Sequence, residues 1–112
     1  MKTEQFPLIS IIVSAHNEED YILNTLKHIQ KSKYPNSELI VICDACSDNT
    51  HKISKKFTDK VFDVSFKNVS KVRNFGAKKS KGNILIFFDA DTIPSKNYFV
   101  SITDTLSNGF DF

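Results

Sequence analysis

The chain has 112 residues, of which 40% are hydrophobic and 25% charged, which is the length and composition of one globular domain. A formal net charge of +2 does not indicate a nucleic-acid partner, and no apolar run has the length of a signal peptide or a transmembrane segment. Cys43 and Cys46 are the only cysteines, which excludes a multi-disulfide scaffold and a four-cysteine zinc site within one chain. We therefore expect a single domain, residues 1–112, in a reducing compartment, with the cytoplasm as the default.

The first predicted unit begins with residues 8–15, a short β-branched apolar run typical of a strand buried on both faces. The helix after it is indicated by apolar residues at helical spacing, which are Ile22, Leu26 and Ile29. Asn17 is the candidate N-cap of this helix. The second unit repeats the pattern, with a buried strand over residues 38–43 and with Ser47 or Asp48 as the cap of its helix. That helix carries Ile53 and Phe57 on one side.

The third predicted unit joins a weaker strand, residues 61–66, to a basic helix that is capped by Ser70 and ended by Gly82. The fourth begins with residues 83–89, the most apolar of the four runs, which we expect to be the most deeply buried strand. Ser95 is the candidate start of its helix, whose inward-facing residues are Phe99, Ile102 and Leu106.

Strand and helix thus alternate four times, as four βα units. This alternation predicts an α/β fold with a mostly parallel sheet, helices on both faces and right-handed crossovers. Residues 108–112 have the character of a turn that leads into a further apolar strand. We therefore expect the chain to be part of a larger domain.

Polar side chains follow three of the predicted strands. They are His16, Asn17 and Glu18 after the first strand, Asp44 and Asp48 after the second, and Asp89, Asp91 and Thr92 after the fourth. Ligands of open parallel sheets bind beyond the carboxyl ends of the strands, so we expect these residues to share one edge of the sheet. Carboxylates gathered there repel one another unless a cation or hydrogen-bond donors compensate. The pattern indicates a metal or a donor-rich ligand.

The sharpest motif is Asp89-Ala90-Asp91, at the end of the most apolar strand. If the extended conformation continues through it, the period of two places both carboxylates on one side and Ala90 on the other. Two aligned carboxylates suit Mg²⁺ or Mn²⁺. The alternative is that both aspartates are turn or cap residues in a strand-to-helix connection.

Two further features carry charge or sulfur. Most of the lysines on the third predicted helix are expected to form a solvated face, but Arg73 is predicted in its first turn, where a guanidinium and free N–H groups suit a diphosphate.

Cys43 is predicted to end a buried strand, unlike the first cysteine of a redox pair, which normally begins a helix. A zinc site with Cys46 and His51 needs partners that this stretch does not supply. We therefore expect Cys43 to be an inert apolar residue.

Four motifs occur in an order and spacing that resemble family 2 glycosyltransferases of the GT-A fold. They are Ser14-Ala15-His16-Asn17-Glu18-Glu19, Cys43-Asp44-Ala45-Cys46-Ser47-Asp48-Asn49-Thr50, Arg73-Asn74-Phe75-Gly76 with Lys81-Gly82, and Phe88-Asp89-Ala90-Asp91. The resemblance spans nearly the whole chain and implies the Rossmann-like, N-terminal, donor-binding part of a larger glycosyltransferase domain. One departure concerns Asp44, since the commonest family form has Asp-Asp-Gly-Ser where this chain has Cys-Asp-Ala-Cys.

The resemblance also implies a site for a sugar nucleotide that is linked to UDP or GDP. The residues it implies for this site are Ala15, His16, Asn17, Glu18 and Asp44 near the nucleoside, Arg73 near the phosphates, and Asp89, Ala90 and Asp91 near the sugar diphosphate. Asp89 and Asp91 are implied as ligands of Mn²⁺ or Mg²⁺, while Asp48 is implied as a structural cap.

The implied activity is inverting transfer of a hexosyl or related sugar to a hydroxyl of a glycan, a lipid or a small molecule. No catalytic residue is expected in this chain, because the family's general base and acceptor site would follow Phe112. The intact protein is expected in the cytoplasm or at the inner face of a membrane, and an exposed sheet edge favours a homo-oligomer.

Two other hypotheses remain open from the sequence. One is a nucleotide- or metal-binding α/β module without catalytic activity. The other is a flavodoxin-like or receiver-type domain that uses an acidic edge for Mg²⁺ and phosphoryl chemistry. The receiver-type hypothesis needs a lysine at a later strand end, and none is identifiable.

Overall fold

The computed structural model describes residues 6–31 and 34–92. The elements in this part of the chain are β1 (Ile9–Ala15), α1 (Ile22–Gln30), β2 (Ser37–Asp44), α2 (Thr50–Ser54), β3 (Val61–Val64), α3 (Val69–Lys79) and β4 (Ile84–Asp89). None of these helices has the length and apolar character that a membrane crossing requires. The fourth predicted helix and the turn predicted at residues 108–112 lie outside the described residues.

The four strands form one parallel sheet in the order β3-β2-β1-β4. Ile9 of β1 pairs with Ser37 of β2 on one side and with Ile84 of β4 on the other, while Val41 of β2 pairs with Val61 of β3. The chain therefore builds outward from β1 in one direction and then returns to add β4 on its other side. Ligands of open α/β sheets bind at such a reversal of strand order, here between β1 and β4.

Helices cover both faces of the sheet, as predicted. Ile11 and Val13 of β1 belong to one apolar cluster, which also contains buried residues of α1 and the partly buried Ile53 of α2. Ile12 and Ile42 belong to a second cluster, in which Val72 of α3 packs against the opposite face. Because both faces are covered, β1 and β2 are mostly apolar on both faces and do not alternate strictly between apolar and polar residues. The α/β sheet expected from the sequence is confirmed.

β4 is less buried than its composition predicts. In the described structure it lies at an edge of the sheet, and Leu85 and Phe87 are exposed while Phe88 is buried. The expectation that residues 83–89 form the most deeply buried strand is therefore wrong for this structure. Hydrophobicity predicts that a strand forms, but the order of strands in the sheet decides how much of it is covered.

Two helices begin at other residues than the sequence indicates. α1 begins at Ile22, four residues later than a helix capped by Asn17 would. α3 is capped by Asn68 instead of Ser70, and the Asn68 side chain accepts a hydrogen bond from the backbone N–H of Lys71 at 2.9 Å. Both Asn and Ser satisfy the free N–H groups of a first helical turn, so composition alone does not choose between them.

The predicted caps of α2 were Ser47 and Asp48, but neither occupies the N-cap position. Asn49 occupies the N-cap position, and its side chain makes no capping hydrogen bond. Asp48, one of the two predicted caps, instead accepts hydrogen bonds from the backbone N–H and the hydroxyl of Thr50 at 3.0 and 2.5 Å. Asp48 therefore has the expected structural role at the start of α2, although it lies one residue before the N-cap, Asn49.

Gly82 does not end α3, which stops at Lys79 with Ser80 as its C-cap. A Cβ atom on Gly82 would lie 2.7 Å from the backbone nitrogen of Ser10 and 2.8 Å from the carbonyl oxygen of Leu8. The Gly82 N–H also donates to the Ser10 hydroxyl at 2.8 Å. Glycine is needed here because the connection to β4 passes directly against the backbone of β1.

Candidate donor site

A cavity of about 680 Å³ lies beyond the carboxyl ends of β1, β2 and β4. The sequence-predicted residues that line it are Ala15, His16, Glu18, Asp44, Asp89, Ala90 and Asp91. Asn17 and Arg73 lie outside this lining. The parallel sheet brings these side chains together because every strand end points to the same edge, at the reversal of strand order.

Asp89 ends β4, and Asp91 lies in the turn that follows. The N–H of Thr92 donates to the carbonyl oxygen of Asp89 at 2.9 Å and closes this turn. Of the two conformations considered for this motif, the backbone therefore adopts the turn and not the continued strand. Both carboxylates still line the cavity.

The turn after β4 is held by hydrogen bonds to two neighbouring elements. The N–H of Ala90 donates to the carbonyl oxygen of Ser14 in β1 at 2.9 Å. The carbonyl oxygen of Ala90 accepts from the hydroxyl of Thr25 in α1 at 2.6 Å, and Thr25 is fully buried. A third contact joins the Ser14 hydroxyl to Oδ1 of Asp89 at 3.1 Å. β1 and α1 together position the Asp-x-Asp motif.

Asn17 joins the loop after β1 to the loop after β2. Its φ of 51° lies in the left-handed region, which asparagine adopts more readily than most residues. Its side-chain oxygen accepts hydrogen bonds from the N–H groups of Ser47 and Asp48 at 2.7 and 3.3 Å. A direct contact between Asn17 and a nucleoside stays a prediction, whereas its hydrogen bonds give it a role in shaping the loops.

His16, directly after β1, and Asp44, the last residue of β2, are hydrogen-bonded to each other at the cavity. Nδ1 of His16 donates to the carbonyl oxygen of Asp44 at 2.7 Å. The Asp44 carboxylate is nearly buried, and its Oδ1 accepts from the N–H groups of Phe66 and Lys67 at 2.7 and 3.0 Å. Asp44 therefore lines the cavity and also anchors the loop after β3.

The sequence missed the contribution of that loop, from which Lys67 and Asn68 line the cavity together with Val69, the first residue of α3. They were missed because the third strand was predicted to run to residue 66 and the helix to start at Ser70. The usable signal was Asn68, since asparagine is among the strongest N-cap residues. Lys67, with a φ of 52°, adds a cationic side chain to the lining.

Arg73 is not brought to the cavity in the described structure. Because α3 begins at Val69, Arg73 is the fifth helical residue and lies beyond the first turn where it was predicted. Its guanidinium carbon lies 5.8 Å from the centre of the Phe87 ring on β4, a cation–π distance. A contact between Arg73 and the phosphates of a donor stays a prediction.

The acidic edge of the cavity carries excess negative charge. Burial and the charges of Asp91, Asp48 and Asp89 raise the pKa of the Glu18 carboxyl, while His16 acts in the opposite direction. A raised pKa means that the site resists a further negative charge. A divalent cation or a set of hydrogen-bond donors would relieve this repulsion.

Residues 10–111 match the family described as glycosyl transferase family 2. The chain belongs to this family. The probable glycosyltransferase YdaM of Bacillus subtilis (strain 168) is 33% identical over 104 residues, which cover 83% of this chain and 25% of YdaM. The family match confirms the resemblance found in the sequence and does not favour a flavodoxin-like or receiver-type domain.

Solved structures share the fold. S. aureus TarS in complex with UDP-GlcNAc is similar with a TM-score of 0.80 and 26% identity, over 89% of this chain and 31% of that one. The mannosyltransferase PcManGT from Pyrobaculum calidifontis, in complex with GDP-Man and Mn²⁺, gives a TM-score of 0.74 at 22% identity, over 81% of this chain and 30% of that one. This chain thus spans about a quarter to a third of the length of these proteins.

Proposed function

We propose that this chain is the donor-binding part of a glycosyltransferase that transfers a sugar from a nucleoside-diphosphate sugar to an acceptor hydroxyl. The observation that carries the proposal is the cavity at the reversal of strand order, where Asp44, Asp89 and Asp91 meet in a member of family 2. The UDP-GlcNAc complex of TarS supports a sugar nucleotide as the class of ligand.

The chain's own residues have distinct parts in this proposal. The nucleoside would bind beside Asp44 and the loop of Ala15, His16 and Glu18, which the sequence motifs indicated. Lys67 is among the residues that line the same cavity, and we propose that its ammonium group pairs with the diphosphate. The proposed role of Lys67 differs from the expectation for Arg73, since only Lys67 is part of the cavity lining.

A divalent cation, Mn²⁺ or Mg²⁺, is proposed at Asp89 and Asp91. The donor set fits, because both are carboxylates on one cavity. Burial is the main cause of the raised pKa of Glu18, and the charges of Asp91, Asp48 and Asp89, which a cation would offset, add to it. When bound, such a cation stabilises the negative charge that develops on the leaving nucleoside diphosphate. The Mn²⁺ complex of PcManGT, which shares the fold, is consistent with this assignment.

The finer properties remain predictions from the sequence. They are inversion at the transferred sugar, the class of acceptor, a general base outside this chain, a homo-oligomer, and a location in the cytoplasm or at the inner face of a membrane.

The test is titration calorimetry of the chain with UDP and with GDP, each with and without Mn²⁺. We expect Mn²⁺-dependent binding of one nucleotide and a loss of affinity of about tenfold or more in Asp91→Ala, since a charged contact contributes roughly 1.5–3 kcal/mol. The matched control is Asp59→Ala, an exposed aspartate before β3 and away from the cavity. Equal affinities of Asp91→Ala and the unchanged chain, or no binding by a chain that circular dichroism shows to be folded, would contradict the proposal.

A further inference from the structure

A second group of ionisable side chains lies apart from the donor cavity, where α2 covers β2 and β3. The Cys43 sulfur, a ring nitrogen of His51 and a carboxylate oxygen of Asp63 lie within 4.8 Å of one another. The group is assembled from three elements, since Cys43 is in β2, His51 in α2 and Asp63 in β3. None of the three residues lines the donor cavity.

The register of the sheet explains why these residues meet. Cys43 and Asp63 are direct partners on neighbouring strands, so their side chains point to the same face of the sheet. His51 lies above that face, and its Nδ1 is 2.8 Å from Oδ1 of Asp63. The zinc site considered from the sequence joined His51 to Cys46 and lacked partners, and Cys43 was expected to be inert. The structure instead groups His51 with Cys43 and Asp63.

The solvent exposure of the three side chains increases from Cys43 to His51 to Asp63. Cys43 is fully buried, whereas the side chains of His51 and Asp63 are 36% and 66% exposed. A cation can therefore reach the group from solvent on the side of the imidazole and the carboxylate. A thiol at the base and two partly exposed ligands at the entrance would leave a further coordination position open to water.

We propose that Cys43, His51 and Asp63 form a binding site for a divalent cation of the Zn²⁺ class. Thiolate, imidazole and carboxylate are the three kinds of ligand that zinc accepts, and three protein ligands plus water complete a tetrahedral set. Zinc–ligand bonds of about 2.0–2.3 Å place ligand atoms roughly 3.4 Å apart. Ligand atoms up to 4.8 Å apart would have to close by up to about 1.4 Å, whereas Nδ1 of His51 and Oδ1 of Asp63 are already 2.8 Å apart. The half-buried His51 and the exposed Asp63 are the side chains that would move.

This site differs in chemistry from the one proposed at the cavity. Sulfur and imidazole ligands favour Zn²⁺ or Co²⁺, whereas Mg²⁺ and Mn²⁺ favour the oxygen ligands of Asp89 and Asp91. Burial raises the pKa of the Cys43 thiol, so a bound cation displaces its proton to solvent. The alternative is an exposed histidine–aspartate pair, of small energetic value, above an inert buried cysteine.

The experiment is a Co²⁺ titration of the chain, without nucleotide, followed by absorption spectroscopy. We expect a thiolate-to-Co²⁺ charge-transfer band together with visible bands of tetrahedral Co²⁺, both removed by one equivalent of Zn²⁺. Cys43→Ser should lose the charge-transfer band. Because that buried substitution can disturb folding, His51→Ala and Asp63→Asn provide a second test at exposed positions, and each should weaken Co²⁺ binding at least tenfold.

Two controls match the type of side chain removed. Cys46→Ser, which removes the other cysteine, and His28→Ala, at an exposed histidine of α1, should both keep the band. Asp91→Ala should also keep the band, because Asp91 lies at the donor cavity. The outcome of this test therefore does not depend on whether the proposed function is correct. The absence of a charge-transfer band from the folded chain, or a band that survives in Cys43→Ser or is lost in Cys46→Ser, would overturn the proposal.

Discussion

At the scale of single residues, Asn17 shapes the edge of the cavity through two separate properties. Its backbone adopts a φ of 51°, and its side-chain oxygen holds the N–H groups of Ser47 and Asp48. Most residues with a Cβ atom are strained in that conformation, and glycine is not. The two properties can therefore be separated by choosing what replaces asparagine.

We expect Asn17→Ala to lower the free energy of unfolding by about 2 kcal/mol, from the lost hydrogen bonds and the left-handed backbone together. Asn17→Gly loses the same hydrogen bonds without the strain, so it should be about 1 kcal/mol more stable than the alanine variant. Urea denaturation followed by circular dichroism measures both. Equal stabilities of the two variants would show that the backbone conformation contributes nothing.

At the scale of elements, α1 supports a site to which its own side chains contribute no ligand. Thr25, buried in α1, donates its hydroxyl to the carbonyl oxygen of Ala90 between the two proposed metal ligands. Removal of that donor would leave a buried carbonyl group without its partner, which costs roughly 1–3 kcal/mol. The packing of α1 against the sheet is thus coupled to the geometry of the Asp-x-Asp turn.

Thr25→Val keeps the shape of the side chain and removes the hydroxyl, so we expect a loss of about 1–3 kcal/mol in stability. Mn²⁺-dependent nucleotide binding should weaken as well, because the turn loses one of its hydrogen bonds. Thr25→Ser is the matched control, since it keeps the hydroxyl and loses only a methyl group. Urea denaturation and calorimetry provide the two readouts, and identical nucleotide affinities of the valine and serine variants would contradict a positioning role.

The sequence predicted β1 and β2 closely because a strand covered on both faces needs an unbroken apolar run. It also predicted that residues after β1, β2 and β4 share one edge, since parallel strands end together. It did not predict that β4 lies at an edge of the described sheet, because strand order depends on contacts between distant segments. The grouping of Cys43 with Asp63 was missed for the same reason, since it depends on the register between two strands.

Local conformation was the second limit of the sequence. Both Asn68 and Ser70 are suitable caps for α3. The choice between them depends on the conformation of the preceding loop, which the sequence does not reveal. That choice moved Arg73 out of the first helical turn and made Lys67 part of the cavity lining. A shift of two residues in one helix start therefore separates the predicted cationic residue, Arg73, from the one that lines the cavity, Lys67.

At the scale of the whole molecule, Glu38 ties together the edge of the sheet opposite the cavity. Its carboxylate accepts hydrogen bonds from the Ser10 hydroxyl of β1 at 2.5 Å and from the N–H of Lys81 before β4 at 2.6 Å. The ammonium group of Lys60, before β3, donates to the other oxygen. One carboxylate at the start of β2 thus joins segments from all four strands of the described sheet.

The ionisation of Glu38 is expected to govern part of the acid stability of the fold. Burial acts to raise its pKa, but the hydrogen bonds from Lys60, Ser10 and Lys81 outweigh burial and lower the pKa from 4.5 to about 2. The unfolded chain therefore binds a proton at a higher pH than the folded chain does. The stabilisation is fully present above about pH 4.5 and is lost as the pH falls toward 2, with a magnitude on the order of 3 kcal/mol.

Urea denaturation at a series of pH values measures this contribution. Glu38→Gln should lower the free energy of unfolding at neutral pH and should flatten its dependence on pH between about 4.5 and 2, because the amide does not titrate. Asp59→Asn, at an exposed carboxylate, should leave that dependence unchanged. If the glutamine variant keeps the slope of the unchanged chain, other carboxylates carry the acid sensitivity, and Glu38 joins the strands without being the group whose protonation loosens them.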